Sequence, residues 1–257
     1  MKAVALAGSQ TTGTADEESD LDVYVYIQAE IPLGVRASIT AVRAERAEVN
    51  NQFWEPGDEW VDSDAHIAVD VMFRHVQWIE EQIDRVLRRH QASVGYSTCF
   101  WYNVLFSRVL SDRSGWFHRL QQTVHQPYPE QLRRAIIAKN YPILGQNISS
   151  YIHQLERAVT HDDLVSVNHR VTALLASYFD ILFAANRLPH PGEKRLVEIA
   201  TQHCTKIPDG MSRQVKELIR AIPQGGRHVI EQAGALIDGL DHLLRAEGLD
   251  FGEPAMA

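Results

Sequence analysis

One stretch near the start of the chain, residues 8–26, constrains the fold more than any other part of the sequence. It follows an apolar run at residues 4–7 that predicts a short buried strand. The Gly8-Ser9 pair comes next, and glycine adopts backbone conformations that other residues resist. A polar loop then leads into a second predicted strand, in which polar and apolar residues alternate over residues 20–27. The pattern predicts two strands joined by a tight turn and a polar loop.

Two carboxylates lie on this second strand. Asp20 and Asp22 are two residues apart, so their side chains point to the same side of the sheet. Carboxylates this close repel each other, and one of them tends to stay protonated. A divalent cation relieves the repulsion, because a hard cation binds several carboxylate oxygens at once. The pair therefore indicates a cation site, although short Asp-rich motifs are common and the same residues could simply close an acidic loop.

This arrangement resembles the nucleotidyltransferase superfamily that includes DNA polymerase β and the aminoglycoside nucleotidyltransferases. The superfamily pattern is Gly-Ser, a spacer of about a dozen residues, Asp-x-Asp within a strand, and a third carboxylate on a later strand. Gly8-Ser9 and Asp20-Leu21-Asp22 match the first parts, and Asp70, within the segment 66–74, offers the third carboxylate. The resemblance of this catalytic pattern covers roughly residues 3–75.

The resemblance implies a magnesium-dependent transferase. A hydroxyl group would attack the α-phosphate of a nucleoside triphosphate, expected to be ATP, and pyrophosphate would leave. In the superfamily, residues matching Asp20 and Asp22 bridge two Mg²⁺ ions about 4 Å apart. The residue matching Asp70 binds the catalytic ion and is a candidate to take the proton of the hydroxyl group.

The resemblance also implies nucleotide-binding residues. The backbone N–H groups of Gly8 and Ser9, with the Ser9 hydroxyl, would bind the β- and γ-phosphates. Ser19 is adjacent and is expected to help. In related bilobed enzymes a C-terminal lysine binds the triphosphate, and Lys194 is the best match, followed by Lys139. Either lysine could equally be an exposed charge at the end of a helix.

The two halves of the chain differ in pattern, and its 257 residues suffice for two domains. Residues 1–127 predict a small mixed β-sheet with helices, and residues 128–257 predict an all-α bundle, so the expected class is α+β. The boundary is placed at Pro127-Tyr128-Pro129. Helical domains follow the catalytic domain in a little-studied branch of the superfamily. The helices predicted in the second half span residues 130–159, 161–188, 193–206, 211–222 and 226–247.

The first half contains further predicted elements and two open questions. A helix is predicted over 32–48 and another from Val76. Segment 98–115 predicts a last strand that leaves through a turn, and a short helix from Ser114 is expected to end before Pro127. Segment 51–64 predicts an acidic loop with two tryptophans and five carboxylates. That loop either captures a cationic substrate or is merely solvated and held by its tryptophans.

Arg74 is the second open question. It follows Asp70 on the same predicted strand face, and it could bind phosphate oxygens or neutralise neighbouring acids.

Charge and composition exclude several classes of protein. The formal net charge is −8, and no basic cluster exceeds a pair of arginines, which argues against a nucleic-acid partner. No apolar run approaches the ~20 residues of a membrane span. Cys99 and Cys204 form neither a disulfide framework nor a metal cluster, so a cytoplasmic protein is expected.

The sequence therefore predicts a nucleotidyltransferase whose acceptor is a small molecule bound in the cleft between the domains, and its acidic charge favours a cationic acceptor. One alternative is a non-catalytic nucleotide-binding module of the regulatory or antitoxin type. The retention of Asp20, Asp22 and Asp70 argues against it, because an inactive site would be free to lose a carboxylate. Another alternative is transfer of the nucleotide onto a protein hydroxyl. The sequence gives no indication of the oligomeric state.

Overall fold

The computed structural model describes residues 1–13, 16, 19–53 and 55–249. The chain forms two compact units, of which the first comprises Met1–Arg88 and Phe100–Pro127 and the second comprises Arg89–Cys99 and Tyr128–Ala257. The division into domains at residues 127 and 128 stays a prediction, and the structure adds that the segment Arg89–Cys99 packs with the second unit.

A mixed β-sheet of six strands forms the centre of the first unit, within the described residues. The strands are β1 (Ala3–Leu6), β2 (Leu21–Ile27), β3 (Ala44–Asn51), β4 (Gly57–Asp62), β5 (Ala68–His75) and β6 (Arg108–Ser111). Their order across the sheet is β3-β4-β5-β2-β1-β6. Strands β2 and β5 are parallel, and the other four neighbouring pairs are antiparallel. The predicted α+β class is confirmed.

The two faces of this sheet are covered differently. Val25, Ile27, Val69 and Val71 form a buried apolar cluster on one face. On the other face, near the end of β2, the ring of Tyr26 lies 4.9 Å from that of Phe117, with Trp116 also in contact. Alternation in β2 determines this division, because successive side chains point to opposite faces.

The helices of this half of the chain only partly match the sequence predictions. They are α1 (Ser9–Thr12), α2 (Leu33–Thr40), α3 (Val76–Leu87), α4 (Cys99–Phe106) and α5 (Trp116–Val124). The amphipathic helix from Val76 and the short helix before Pro127 are confirmed. The helix predicted over 32–48 is wrong beyond Thr40, because residues 44–51 form the edge strand β3 instead.

The apolar residues that suggested the longer helix do not form the buried face of α2. Val35 and Ile39 are 48% and 65% exposed, whereas Arg36 is buried. Arg36 donates from Nε to Oδ2 of Asp58 at 2.9 Å, and its guanidinium lies over the ring of Phe73. A buried ion pair that joins distant segments therefore sets the orientation of α2, which a periodicity of apolar residues does not anticipate.

Two further predictions in the first half are wrong. The acidic loop over 51–64 contains the whole of β4, whose backbone pairs with both β3 and β5. The last strand predicted within segment 98–115 is helix α4 followed by the short strand β6. Trp101 and Val104 are buried three residues apart in α4, so the aromatic residues that suggested a strand serve one face of a helix.

The second unit is built from helices in its described part, as predicted. They are α6 (Glu130–Gly145), α7 (Tyr151–Thr160), α8 (Leu164–Ala185), α9 (Leu196–His203), α10 (Met211–Ala221) and α11 (Gly226–Ala246), with a 3₁₀ turn at Ile222–Gln224. The single helix predicted over 130–159 is two helices. Ser150 begins the second of them, because its hydroxyl accepts a hydrogen bond from the N–H of His153.

None of the helices in the described part of the chain combines the length and the apolarity that crossing a bilayer takes.

Candidate active site

A row of carboxylates crosses four neighbouring strands of the sheet. In the parallel pairing of β2 with β5, Asp22 lies directly opposite Asp70. Asp70 is in turn paired with Glu59 of β4, and Glu59 is paired with Glu48 of β3. Residues paired across strands point to the same face, so these four side chains, here called the carboxylate row, lie side by side.

The row concentrates negative charge around Asp70. Burial and the charges of Glu59, Asp22 and Asp20 together raise the pKa of Asp70 to about 6. Glu59 has the largest effect among these charges. Asn51 donates a hydrogen bond from Nδ2 to Oε1 of Glu59 at 2.7 Å. The site therefore favours a cationic ligand, because like charges directly opposite one another on adjacent strands destabilise a sheet.

The turn after β1 lies against the carboxylate of Asp22. Gly8 has φ +65°, and a Cβ atom at this position would lie 1.8 Å from Oδ2 of Asp22. The carbonyl of Gly8 accepts hydrogen bonds from the N–H and the hydroxyl of Thr11, at 3.2 and 3.1 Å. Ser9, the first residue of α1, is partly buried. Only glycine allows this close approach, so the Gly-Ser motif and the first Asp-x-Asp strand form one local structure.

Ser19 stabilises the turn that precedes Asp20. Its hydroxyl donates to Oδ1 of Asp16 at 2.8 Å and accepts the N–H of Asp16 at 2.9 Å. Residues 14, 15, 17 and 18 of the same loop lie outside the described part of the chain. In the described geometry the Ser19 hydroxyl is therefore bonded to Asp16.

A cavity of about 350 Å³ lies along the row, and we call it the β3–β5 cavity. Its charged lining residues are Asp20, Arg46, Glu48, Glu59 and Asp70. Three of these five, Arg46, Glu48 and Glu59, were not identified from the sequence as site residues. Glu59 belonged to the predicted acidic loop, and Arg46 and Glu48 to a predicted helix. The register of β3 and β4 brings them to the site, and the sequence carries no local signal of that register.

Arg74 is on the same strand face as Asp70, four residues along β5. Its Nε and a terminal nitrogen donate to the two carboxylate oxygens of Glu55, each at 2.7 Å. The guanidinium lies 3.8 Å from the ring centroid of Tyr24, and the side chain is 4% exposed. Of the two interpretations that the sequence left open, the structure shows the pairing of Arg74 with a neighbouring acid.

Both candidate lysines lie in the second unit, outside the carboxylate row. Lys194 is exposed in the turn before α9, and Lys139 is exposed on α6. The described geometry of the first unit therefore includes Asp20, Asp22 and Asp70, together with Gly8 and Ser9, but neither lysine.

The carboxylates suit a metal ion in their chemistry more than in their present arrangement. Among residues 1–13, 16, 19–53 and 55–249, no three side chains of His, Cys, Asp or Glu are already arranged to hold one. The donor chemistry nevertheless fits a hard cation, since Asp22 and Asp70 are direct neighbours with only carboxylate oxygens to offer. A cation would also oppose the raised pKa of Asp70.

A second polar cluster is buried in the second unit. Asp180, 1% exposed, accepts hydrogen bonds from the N–H and the hydroxyl of Ser97, at 3.0 and 2.6 Å. Asn140 donates to the same carboxylate at 3.2 Å and also accepts the N–H of Gly95. Burial outweighs the opposing effect of these donors, and the pKa of Asp180 is raised to about 7. The cluster fastens the segment Arg89–Cys99 to helices α6 and α8.

A family model matches part of the chain, and a solved structure is similar over most of it. A family model described as a domain of unknown function (DUF4037) matches residues 102–196, fewer than half of the chain and outside the carboxylate row. No curated protein matches the chain. Among solved structures, a nucleotidyltransferase-like protein from Exiguobacterium sibiricum 255-15 is similar at 13% identity and a TM-score of 0.43, over 96% of this chain and 70% of that one. A similarity this low supports no conclusion about function. Such a conclusion depends on the residues of the first unit.

Proposed function

We propose that the protein is a nucleotidyltransferase that moves a nucleoside monophosphate from ATP to a hydroxyl group of a small molecule. The observation that carries the proposal is the direct pairing of Asp22 with Asp70 on parallel strands, beside the glycine turn at Gly8. The reaction needs acidic oxygens near a tight turn that can approach phosphate groups, and both features lie in one unit.

The bonds that change are few. The acceptor oxygen forms a bond to the α-phosphorus, and the bond from that phosphorus to the bridging oxygen of the β-phosphate breaks. Pyrophosphate leaves with the electron pair of that bond, and the carboxylate of Asp70 takes the hydroxyl proton. The backbone of Gly8 and Ser9, with Ser19 and Lys194, is proposed to bind the phosphates.

Asp20, Asp22 and Asp70 are the residues proposed to hold Mg²⁺. When bound, the ion would supply charge stabilisation to the phosphate oxygens and lower the pKa of the attacking hydroxyl group. The proposal places the reaction in the cytoplasm, where a thiol such as that of Cys204 stays reduced.

Pyrophosphate release tests this function. The protein is incubated with ATP, Mg²⁺ and a panel of hydroxyl compounds, and we expect release that depends on the acceptor. Asp22→Asn should reduce turnover by at least about 100-fold, because it removes a charge next to Asp70 and preserves the shape of the side chain.

Asp64→Asn is the matched control, because Asp64 is an exposed acid of the same unit whose partner is Arg43. It should leave turnover unchanged. Normal turnover in the Asp22→Asn variant would show that the catalytic site lies elsewhere. ATP binding without release from any acceptor would favour a non-catalytic nucleotide-binding module.

A further inference from the structure

The β3–β5 cavity carries charges of both signs. Glu48 and Glu59 line it from the β3 and β4 side, next to Asp70, and Arg46 lies two residues before Glu48 on β3. Residues two apart on a strand share a face and are separated by about 7 Å along it. A positive group and a pair of carboxylates therefore face the same space.

Arg46 differs from the other arginines near strands β3 to β5. Arg36 and Arg74 are buried in ion pairs, and Arg43 contacts acidic side chains. Arg46 is exposed, and none of the ion pairs among the described residues includes it. A guanidinium with five donors beside a cavity is suited to bind a carboxylate or phosphate group of a ligand.

We propose that the β3–β5 cavity is the acceptor subsite of the transferase and that it selects a zwitterionic hydroxyl compound. Arg46 binds the acidic group of this acceptor, Glu48 and Glu59 bind its ammonium group, and its hydroxyl group points toward Asp70. The inference rests on the proposed function and adds the class of acceptor. The sequence alone suggested a cationic acceptor, because of its acidic net charge and acidic loop.

The size of the cavity restricts the acceptor further. A volume of about 350 Å³ is at the small end of ligand pockets, which run from about 300 to 1,000 Å³. It suits a compound of amino-acid or single-sugar size, and it is too small to enclose an acceptor of several linked rings. The subsite is therefore expected to take a small metabolite with one ammonium and one acidic group.

The test compares acceptors that share one hydroxyl group and differ in charge. L-Serine and L-homoserine are the zwitterions, their amides the cations, their N-acetyl derivatives the anions, and their N-acetyl amides the neutral compounds. With ATP and Mg²⁺, pyrophosphate release should have its highest kcat/KM with a zwitterion.

Two variants assign the charges. Arg46→Gln should raise the KM of the zwitterion by about 10-fold to 100-fold, the usual effect of losing a hydrogen bond to a charged group, with kcat within about threefold. It should leave the KM of the amide unchanged. Glu48→Gln should raise the KM of the zwitterion and the amide but not that of the N-acetyl derivative. Arg43 is an exposed arginine that contacts Asp62 and Asp64, so Arg43→Gln is the control. It should leave the KM of every compound unchanged.

The possible failures can be told apart. If the neutral or the singly charged compounds are better acceptors than the zwitterions, the inference is overturned and the transferase proposal stands. The same holds if Arg46→Gln leaves every KM unchanged. If no compound supports pyrophosphate release, the proposed function fails, and the acceptor subsite fails with it.

Discussion

Replacing Gly8 by alanine tests the link between the glycine turn and the carboxylate row. Gly8 has φ +65° and ψ −153°, a region that only glycine occupies readily. Forcing alanine into it costs about 1–3 kcal/mol. The new Cβ atom would lie 1.8 Å from Oδ2 and 2.7 Å from Cγ of Asp22, far inside van der Waals contact. The variant must therefore displace either the turn or the carboxylate of Asp22.

Both stability and turnover should respond. At about 2–4 °C per kcal/mol for a protein of this size, the melting temperature should fall by roughly 2–12 °C. Restoring ordinary contact requires a displacement of more than 1 Å, and a misplacement of about 1 Å at a reacting centre can cost about 100-fold in rate. We therefore expect turnover, measured as pyrophosphate release, to fall by about 100-fold at saturating ATP.

Gly13→Ala is the matched control. Gly13 also has a positive φ, +72°, but nothing lies within 4 Å of a Cβ atom placed there. This variant should lose only about 1 kcal/mol from left-handed backbone strain and should keep its turnover within about threefold. Equal melting temperatures and equal turnover for the two variants would refute the proposed contact between the Gly8 turn and Asp22.

Two further predictions concern buried charges. Arg74→Met should lower the free energy of unfolding by about 3 kcal/mol, because it leaves Glu55 without its partner. The control Arg43→Met, at a side chain that is 66% exposed, should lower it by less than about 1 kcal/mol. Equal losses of the two variants in urea denaturation would contradict this prediction. The raised pKa of Asp180 means that the folded state holds its proton to higher pH than the unfolded state, so stability should fall as pH rises from 3.8 to about 7. At 1.36 kcal/mol per pH unit the loss is at most about 4 kcal/mol, and Asp180→Asn should abolish this part of the pH dependence; an unchanged slope in the variant would show that other groups cause it.

Local patterns in the sequence predicted those parts of the fold that depend on neighbouring residues. Alternation identified β2, and the apolar stripe from Val76 identified α3. The same logic failed at residues 44–51 and in α4, where β-sheet pairing and the burial of Trp101 outweighed the local preference. Secondary-structure propensity is a weak prior that tertiary contacts override.

In the candidate site, too, some residues were predicted from local sequence patterns and others depend on tertiary contacts. Asp20, Asp22, Asp70 and the turn at Gly8 were recognisable, because their spacing and strand context lie within the sequence. Glu59 was not, because its place opposite Asp70 depends on how β4 pairs with β5. A shift of one residue in that register would turn Glu59 to the other face of the sheet.

By itself the sequence determined the glycine turn after β1, which side chains share a face of β2, and which three acids are candidates for catalysis. Steric limits and periodicity act over a few residues, so they can be read from the order of amino acids. Only the tertiary structure decided that Glu48, Glu59 and Arg46 join those acids around one cavity. Strand partners and their register depend on packing between distant segments, so no single stretch of the sequence specifies them.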